Sequence, residues 1–204
     1  MSFDKYLSTK HAFIFELDNV IYPEKDYLLQ VYYLYAQFIE YQEHISAADI
    51  IKYMEAALLN DGKADVYDKT TQQFNIPEQY RINYMLLLDN ARLPLKLFIF
   101  AEVLKLLQAI VLERKQIFIF TDGSPIMQIN KIKQMEWHGL AEYLKVFFSS
   151  ETEPKPSAKG LDLIINTHKL DREKVLMIGC SEVDEACAAN ARIQFLNVDK
   201  LLLT

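Results

Sequence analysis

The chain has 204 residues, which is enough for one compact domain or for a core with a modest insertion, and too few for a large multidomain assembly. Hydrophobic residues make up 51% and charged residues 25%, as in soluble globular proteins that bury a core. The net charge of −6 repels polyanions, so we expect neither nucleic acid nor an anionic membrane as a main partner.

Short apolar runs, rich in β-branched and aromatic residues and followed by polar or turn-forming residues, predict buried parallel strands. The predicted strands are Ala12–Phe15, Ile117–Phe120, Val146–Phe148, Val175–Ile178 and Ile193–Val198. Helical patterns alternate with the later strands, at Pro125–Trp137, Ala158–His168 and Glu182–Ala191. This alternation predicts βαβ units, and therefore an α/β fold with a doubly wound, Rossmann-like parallel sheet.

The long interval between Phe15 and Ile117 shows helical periodicity and almost no strand signal. Its predicted helices are Tyr27–His44, Ala47–Leu59, Lys63–Phe74, Glu78–Leu88 and, after Pro94, Phe98–Leu112. We interpret most of this interval as a helical domain inserted after the first strand. The alternative is that these segments are additional helices of the core.

The two cysteines, Cys180 and Cys187, lie in one turn-plus-helix segment, so no disulfide framework is expected to hold the fold together. A reducing cytoplasm agrees best with this. The N-terminal apolar run Ala12–Phe15 is too short for a signal peptide or a membrane span, so we expect no export.

The residues that directly follow the predicted strands could carry chemistry, because ligands of open α/β sheets bind at the carboxyl ends of the strands. Glu16 and Asp18 follow the first strand and point to the same side of an extended chain. Such a pair can supply a nucleophile or metal ligand together with a general acid. The alternative is an acidic strand end that is only solvated.

Hydroxyl and basic side chains follow the next two strands. Thr121 and Asp122 precede a helix start at Pro125, where exposed amides suit an anion, although capping by Ser124 is an equally good structural explanation. Lys155 lies between two prolines, which restrain its backbone.

The segment Ser181-x-x-Asp184, after the last of these strands, matches a capping box, which explains both residues without any function. Taken in order, however, these four positions resemble the motifs of the haloacid dehalogenase superfamily, in its phosphatase branch with an inserted helical cap. Its motifs are Asp-x-Asp, Ser or Thr, Lys, and Gly-Asp-x-x-x-Asp. They correspond here to Glu16 and Asp18, to Thr121, to Lys155 followed by Pro156, and to Gly179-Cys180 with Asp184.

The resemblance covers nearly the whole chain. It implies an α/β core over residues 1–22 and 93–204 with a helical cap over residues 23–92. It also implies hydrolysis of a small phosphorylated metabolite, with the carboxylate at position 16 as nucleophile and Asp18 as general acid and base. Phosphate would be bound by Thr121, Asp122 and Lys155. Magnesium would be bound by Glu16, by the backbone carbonyl of Asp18 and, in a supporting place, by Asp184.

Two departures from the family pattern weaken this expectation. Glu16 replaces the nucleophilic aspartate, and its extra methylene moves the carboxylate by up to about 1.5 Å. A misplacement of about 1 Å can cost on the order of 100-fold in rate. Cys180 replaces a metal-binding carboxylate, and a thiol is a poor ligand for magnesium. We therefore expect a phosphomonoesterase-type hydrolase with impaired activity and a doubtful magnesium site, or else a catalytically silent phosphate-binding or regulatory protein.

Two features leave several interpretations open. Cys180 precedes a helix, so it could be a buried filler, a ligand of a softer metal, or a thiolate activated by the helix dipole. Most tyrosines lie in the inserted helices, where they could pack between helices, line a cleft or form a homodimer contact. The tyrosines of this insertion are Tyr27, Tyr32, Tyr33, Tyr35, Tyr41, Tyr53, Tyr67, Tyr80 and Tyr84.

Overall fold

A five-stranded parallel sheet forms the centre of the first of two compact units in the computed structural model, which describes residues 3–203. Residues 1, 2 and 204, at the ends of the predicted core, lie outside the described residues. The strands in chain order are β1 (Ala12–Phe15), β3 (Gln116–Thr121), β5 (Leu144–Phe148), β6 (Val175–Gly179) and β7 (Gln194–Asn197). Their spatial order is β5-β3-β1-β6-β7, so β1 is the central strand.

Helices precede, connect and follow the strands of this unit. They are α1 (Asp4–Thr9), α6 (Ala101–Leu112), the start of α7 (Pro125–Gln134), α8 (Lys159–Thr167), α9 (Glu182–Asn190) and α10 (Asp199–Leu202). Apolar side chains of β1, β3 and β6 pack with those of α8 and α9 into one buried cluster, and α6 packs against β3. The predicted fold class, an α/β protein with a parallel sheet, flanking helices and inserted helices, is confirmed.

Some local features of the structure differ from the predictions. The helix predicted over Pro125–Trp137 ends at Gln134, because Met135–Glu136 (β4) pairs in parallel with Leu97–Phe98 (β2). No strand was predicted at either of these short segments, and the helix predicted over Phe98–Leu112 begins only at Ala101, because Phe98 belongs to β2. The N-terminal helix α1 was not predicted either; it is short, and only its Leu7 is buried.

The second unit consists of Lys25–Lys96 and Ile129–Gln134. The predicted insertion 23–92 covers most of this unit, which also includes part of α7: the side-chain amides of Asn130 and Gln134 donate to the carbonyl of Ala91 at 3.0 and 2.8 Å. The helices of this unit are α2 (Glu24–Glu43), α3 (Ala47–Asp61), α4 (Val66–Phe74) and α5 (Arg81–Asn90).

Tyrosine rings form much of the interior of the second unit. The ring of Tyr84 contacts Tyr35 and Tyr67 with centroid separations of 5.3 and 4.9 Å, and all three side chains are buried. The interpretation of these aromatics as packing between helices therefore holds for them. Tyr41, in contrast, is exposed. No helix within residues 3–203 combines the length and apolar character needed to cross a bilayer.

Candidate active site

The strands bring the first two candidate positions to one edge of the sheet. Phe15, the last residue of β1, is paired in register with Ile119 and Ile178, and the backbone amide of Glu16 donates to the carbonyl of Ile178 at 3.0 Å. Thr121 is the last residue of the neighbouring β3. Because parallel strands end on the same side, Glu16 and Thr121 meet where the sequence predicted, and both are buried.

Lys155 joins the remaining candidate positions. Its ammonium group makes ion pairs with Glu16, with Asp184 at 2.7 Å and with Asp122 at 3.4 Å. Its side chain is completely buried. One cation therefore pairs with three carboxylates, each of which follows a different strand of the sheet.

Glu16 uses both of its carboxylate oxygens inside this cluster. Oε1 accepts hydrogen bonds from the Thr121 hydroxyl and from the backbone amide of Leu17, the latter at 2.9 Å. Oε2 accepts from Lys155. Thr121 and Lys155 are the two donors that the family resemblance assigns to phosphate, so the longer carboxylate at position 16 already engages both.

Asp184 is fixed by the start of helix α9. The predicted capping box with Ser181 is confirmed: the Asp184 amide donates to the Ser181 hydroxyl oxygen at 3.1 Å, and Asp184 Oδ2 accepts from the Ser181 amide at 3.2 Å. A Cβ at Gly179 would lie 2.6 Å from the Asp184 Cβ, so only glycine fits there. Asp184 Oδ1 remains directed at Lys155. Capping and a site role therefore coexist in one residue.

Burial and charge set the protonation of the cluster. Burial raises the pKa of Glu16 to about 7, against the opposing effects of Lys155 and the Thr121 hydroxyl. Burial would lower the pKa of Lys155, but the charges of Glu16 and Asp184 raise it above its ordinary value. Burial likewise acts against ionisation of Asp184, whose pKa is nevertheless lowered by Lys155 and by its hydrogen bonds to Ser181 and the Cys180 amide. Lys155 and Asp184 are thus charged at neutral pH.

Asp18 lies outside this ion-paired cluster. Its Oδ1 accepts from the hydroxyl of Tyr22 at 2.7 Å, and its Oδ2 accepts from the side-chain amide of Gln128 at 3.0 Å. The same amide donates to the Thr121 hydroxyl oxygen at 2.7 Å. Gln128 therefore connects Asp18 to the other candidate residues.

Three contributors to the site were missed at the sequence level. They are Gln128, Tyr22 and Ser149, whose hydroxyl donates to Asp122. Ser149 directly follows a predicted strand, so the rule of examining strand ends could have found it. Gln128 lies in the first turn of helix α7, and Tyr22 lies in an irregular loop. Neither position carries a pattern that single-sequence reasoning detects.

The acidic side chains that could hold a metal ion are Glu16, Asp122 and Asp184, whose ligand atoms all lie within 4.8 Å of one another. Asp18 is not in this set of side chains, and the ligand predicted at this position is its backbone carbonyl. Cys180 also differs from a metal-ligating carboxylate: its thiol donates to the backbone carbonyl of Asp18 at 3.7 Å. Carboxylate oxygens are the ligands that Mg²⁺ takes, so the set fits this ion chemically, with the ammonium of Lys155 as a competing cation.

The Cys180 thiol does not have the properties of an activated thiolate. Burial raises its pKa to about 11, and the carboxylates of Asp184 and Glu16 act in the same direction. Burial first, and then these carboxylates, favour the neutral thiol, which argues against the interpretation as a thiolate activated by the helix dipole. Cys180 is also partly exposed, so it is not a fully buried filler. Both cysteines, which lie in the described part of the chain, are free.

Comparison with protein-family models assigns the chain to a family. The model described as haloacid dehalogenase-like hydrolase matches residues 13–198. The protein therefore belongs to the haloacid dehalogenase-like hydrolase family, which confirms the resemblance inferred from the four motifs. A search of the curated proteins gave no significant match.

Solved structures with the same fold agree with this assignment. A HAD family hydrolase from Deinococcus radiodurans, solved with bound phosphate and sodium, has a TM-score of 0.59 at 15% identity, over 93% of this chain and 80% of that chain. A hydrolase from Streptococcus pneumoniae has a TM-score of 0.57 at 14% identity, over 92% of both chains. A HAD-superfamily hydrolase from Geobacter sulfurreducens has a TM-score of 0.52 at 19% identity, over 92% and 86%. At these identities the likeness concerns the fold.

Proposed function

We propose that the protein is a phosphomonoesterase-type hydrolase that binds a small phosphorylated molecule and turns it over with impaired efficiency. The observation that carries the proposal is the convergence of Glu16, Thr121, Lys155 and Asp184 around one buried ammonium group. Membership of the hydrolase family and the phosphate bound to the D. radiodurans relative support the choice of a phosphoryl substrate.

The proposed binding step is an exchange of hydrogen-bond partners. A phosphoryl group needs positively charged and neutral donors aimed at its oxygens. Lys155 and the Thr121 hydroxyl would become these donors once their hydrogen bonds to Glu16 are broken. Glu16 then stands next to the phosphorus as the displaced counterpart of a nucleophile, and Asp18 is the acid that would protonate the leaving oxygen.

A magnesium ion would be held by the carboxylates of Glu16, Asp122 and Asp184. When bound, Mg²⁺ supplies neutralisation of the charge on the phosphoryl oxygens. Lys155 occupies the middle of the same carboxylates, and Cys180 offers no hard ligand. We therefore propose that the metal site is weaker than in relatives with two aspartates at positions 16 and 180.

A second candidate function is a catalytically silent phosphate-binding or regulatory protein. The specific observation in its favour is that Glu16 already accepts hydrogen bonds from Thr121 and Lys155. Where this arrangement persists, Glu16 holds the phosphate donors in place of the ligand. The fold and the pocket would then remain while the chemistry is lost.

Hydrolysis of a generic aryl phosphate separates the two candidates. The native chain and the double variant Glu16→Asp, Cys180→Asp are assayed with and without Mg²⁺, with a metal chelator as control. The proposal expects slow turnover by the native chain and an increase of about 100-fold or more in the double variant, because the carboxylate returns to its attacking position. Activity in the double variant alone supports the silent protein, and activity in neither contradicts the hydrolase assignment.

The proposed function also includes a cellular location and partners. The two free cysteines support a location in a reducing cytoplasm. We propose neither nucleic acid nor a membrane as partner. A homodimer stays a prediction, and the exposed Tyr41 ring is a place where a second copy could be tested by mutation and light scattering.

A further inference from the structure

Gln128 is a fully buried polar residue close to the start of helix α7. Its backbone amide donates to the carbonyl of Ser124 at 3.0 Å, so the first turn of the helix fixes its position. A glutamine side chain carries two N–H donors and one carbonyl acceptor. Burying such a group is unfavourable unless it gains hydrogen bonds, so its partners indicate why it is there.

Both hydrogen bonds of the Gln128 side chain go to candidate site residues. Nε2 donates to Asp18 Oδ2 at 3.0 Å and to the hydroxyl oxygen of Thr121 at 2.7 Å. Because a lone pair of the Thr121 oxygen is occupied in this way, its proton is directed to its acceptors. The nearer acceptor is Glu16, and the other is the Asp122 carbonyl at 3.4 Å. Gln128 thus fixes one side chain on each of two neighbouring strand ends.

Packing alone does not explain a glutamine at this position. The acceptor Oε1 is buried and has no hydrogen-bond partner among residues 3–203. An apolar side chain of the same length, such as methionine, would fill the space without leaving a buried acceptor unpaired. The Nε2 group, which faces Asp18 and Thr121, is the part of the side chain that has hydrogen-bond partners.

We propose that Gln128 is a positioning residue for phosphoryl transfer at this site. It holds the carboxylate of Asp18 for proton transfer to the leaving oxygen, and it orients the Thr121 hydroxyl toward the position of the phosphoryl oxygens. This inference rests on the proposed function, because it assigns Gln128 a role in that reaction. In this role Gln128 acts through Asp18 and Thr121.

Substitution of Gln128 with matched shape tests the proposal. Gln128→Met keeps the length and removes the donor, and Ile126→Met on the same helix is the control, since Ile126 is 58% exposed. Aryl phosphate hydrolysis is measured in the native chain and in the Glu16→Asp, Cys180→Asp background. We expect Gln128→Met to lower kcat by about 10-fold or more and to raise KM by only about 3-fold, because positioning acts mainly on the chemical step and the loss of Thr121 orientation weakens phosphate binding to a smaller extent.

Phosphate binding gives a readout that does not need turnover. Isothermal titration calorimetry with inorganic phosphate is expected to show an affinity about 3-fold or more weaker in Gln128→Met, because the Thr121 hydroxyl loses its orientation. Circular dichroism confirms that the variant is folded. Unchanged kcat together with unchanged phosphate affinity overturns the role of Gln128 alone. A native chain that neither binds nor hydrolyses phosphate esters, with a silent double variant, overturns the proposed function and this inference with it.

Discussion

Lys155 is the side chain on which the candidate site depends most. Its fully buried ammonium group pairs with Glu16 and is bonded to Asp184 at 2.7 Å. Lys155→Met leaves these carboxylates without their shared cation. Breaking a buried ion pair in this way costs about 3–5 kcal/mol. We expect a loss of this size in the free energy of unfolding, measured by urea denaturation at pH 8.

Lys159→Met is the matched control for this experiment. Lys159 is also a lysine paired with a glutamate, Glu153, but this pair is exposed to solvent. Exposed ion pairs contribute little to stability, so the unfolding midpoint is expected to stay near that of the native chain. Equal effects of the two substitutions would show that Lys155 does not neutralise a buried cluster.

The reactivity of Cys180 follows from its raised pKa. With a pKa of about 11, the thiol is almost fully protonated at pH 7, and only the thiolate is the nucleophile. We expect slow alkylation by iodoacetamide at pH 7 and a rate that rises as the pH approaches 11. The variant Cys180→Ser serves as the control, because any alkylation that it still shows comes from Cys187. Rapid modification of Cys180 at neutral pH would contradict the assigned environment.

Close packing between a helix and the sheet limits substitution at Gly160. This glycine lies on α8, and a Cβ at its position would overlap with the ring of Phe120 on β3. Overpacking of this kind costs about 1–3 kcal/mol. We expect Gly160→Ala to lower the free energy of unfolding by this amount in urea denaturation. Asn166→Ala, an exposed position of the same helix, should stay near the native value; a stable Gly160→Ala would contradict the close contact.

The elements that the sequence predicted best are those with the strongest burial pattern. β1 and β6 are continuous apolar runs that are buried at every position, and their bounds agree with the prediction to within a residue. The short pair of β2 and β4 was missed because each has two residues, too few for any periodicity. The end of α7 was missed because β4 pairs with a segment distant in sequence, and this pairing stops the helix at Gln134.

At the scale of the whole molecule, the meeting of Glu16, Thr121, Lys155 and Asp184 could be predicted because parallel strands present their carboxyl ends at one edge. The hydrogen bonds and ion pairs that these groups make with one another could not be predicted in this way. Whether Glu16 faces solvent, a metal ion or Lys155 depends on the packing of several segments at once. The roles of Gln128 and Tyr22 depend on the course of a helix and a loop, which no local pattern encodes.

A crystal structure of the native chain grown with Mg²⁺ and the phosphate mimic tungstate tests the central claim most directly. The account predicts tungstate oxygens bonded to the Thr121 hydroxyl and the Lys155 ammonium group, with Glu16 moved away from both. It would be contradicted by a structure in which Glu16 keeps both donors and tungstate binds elsewhere or not at all.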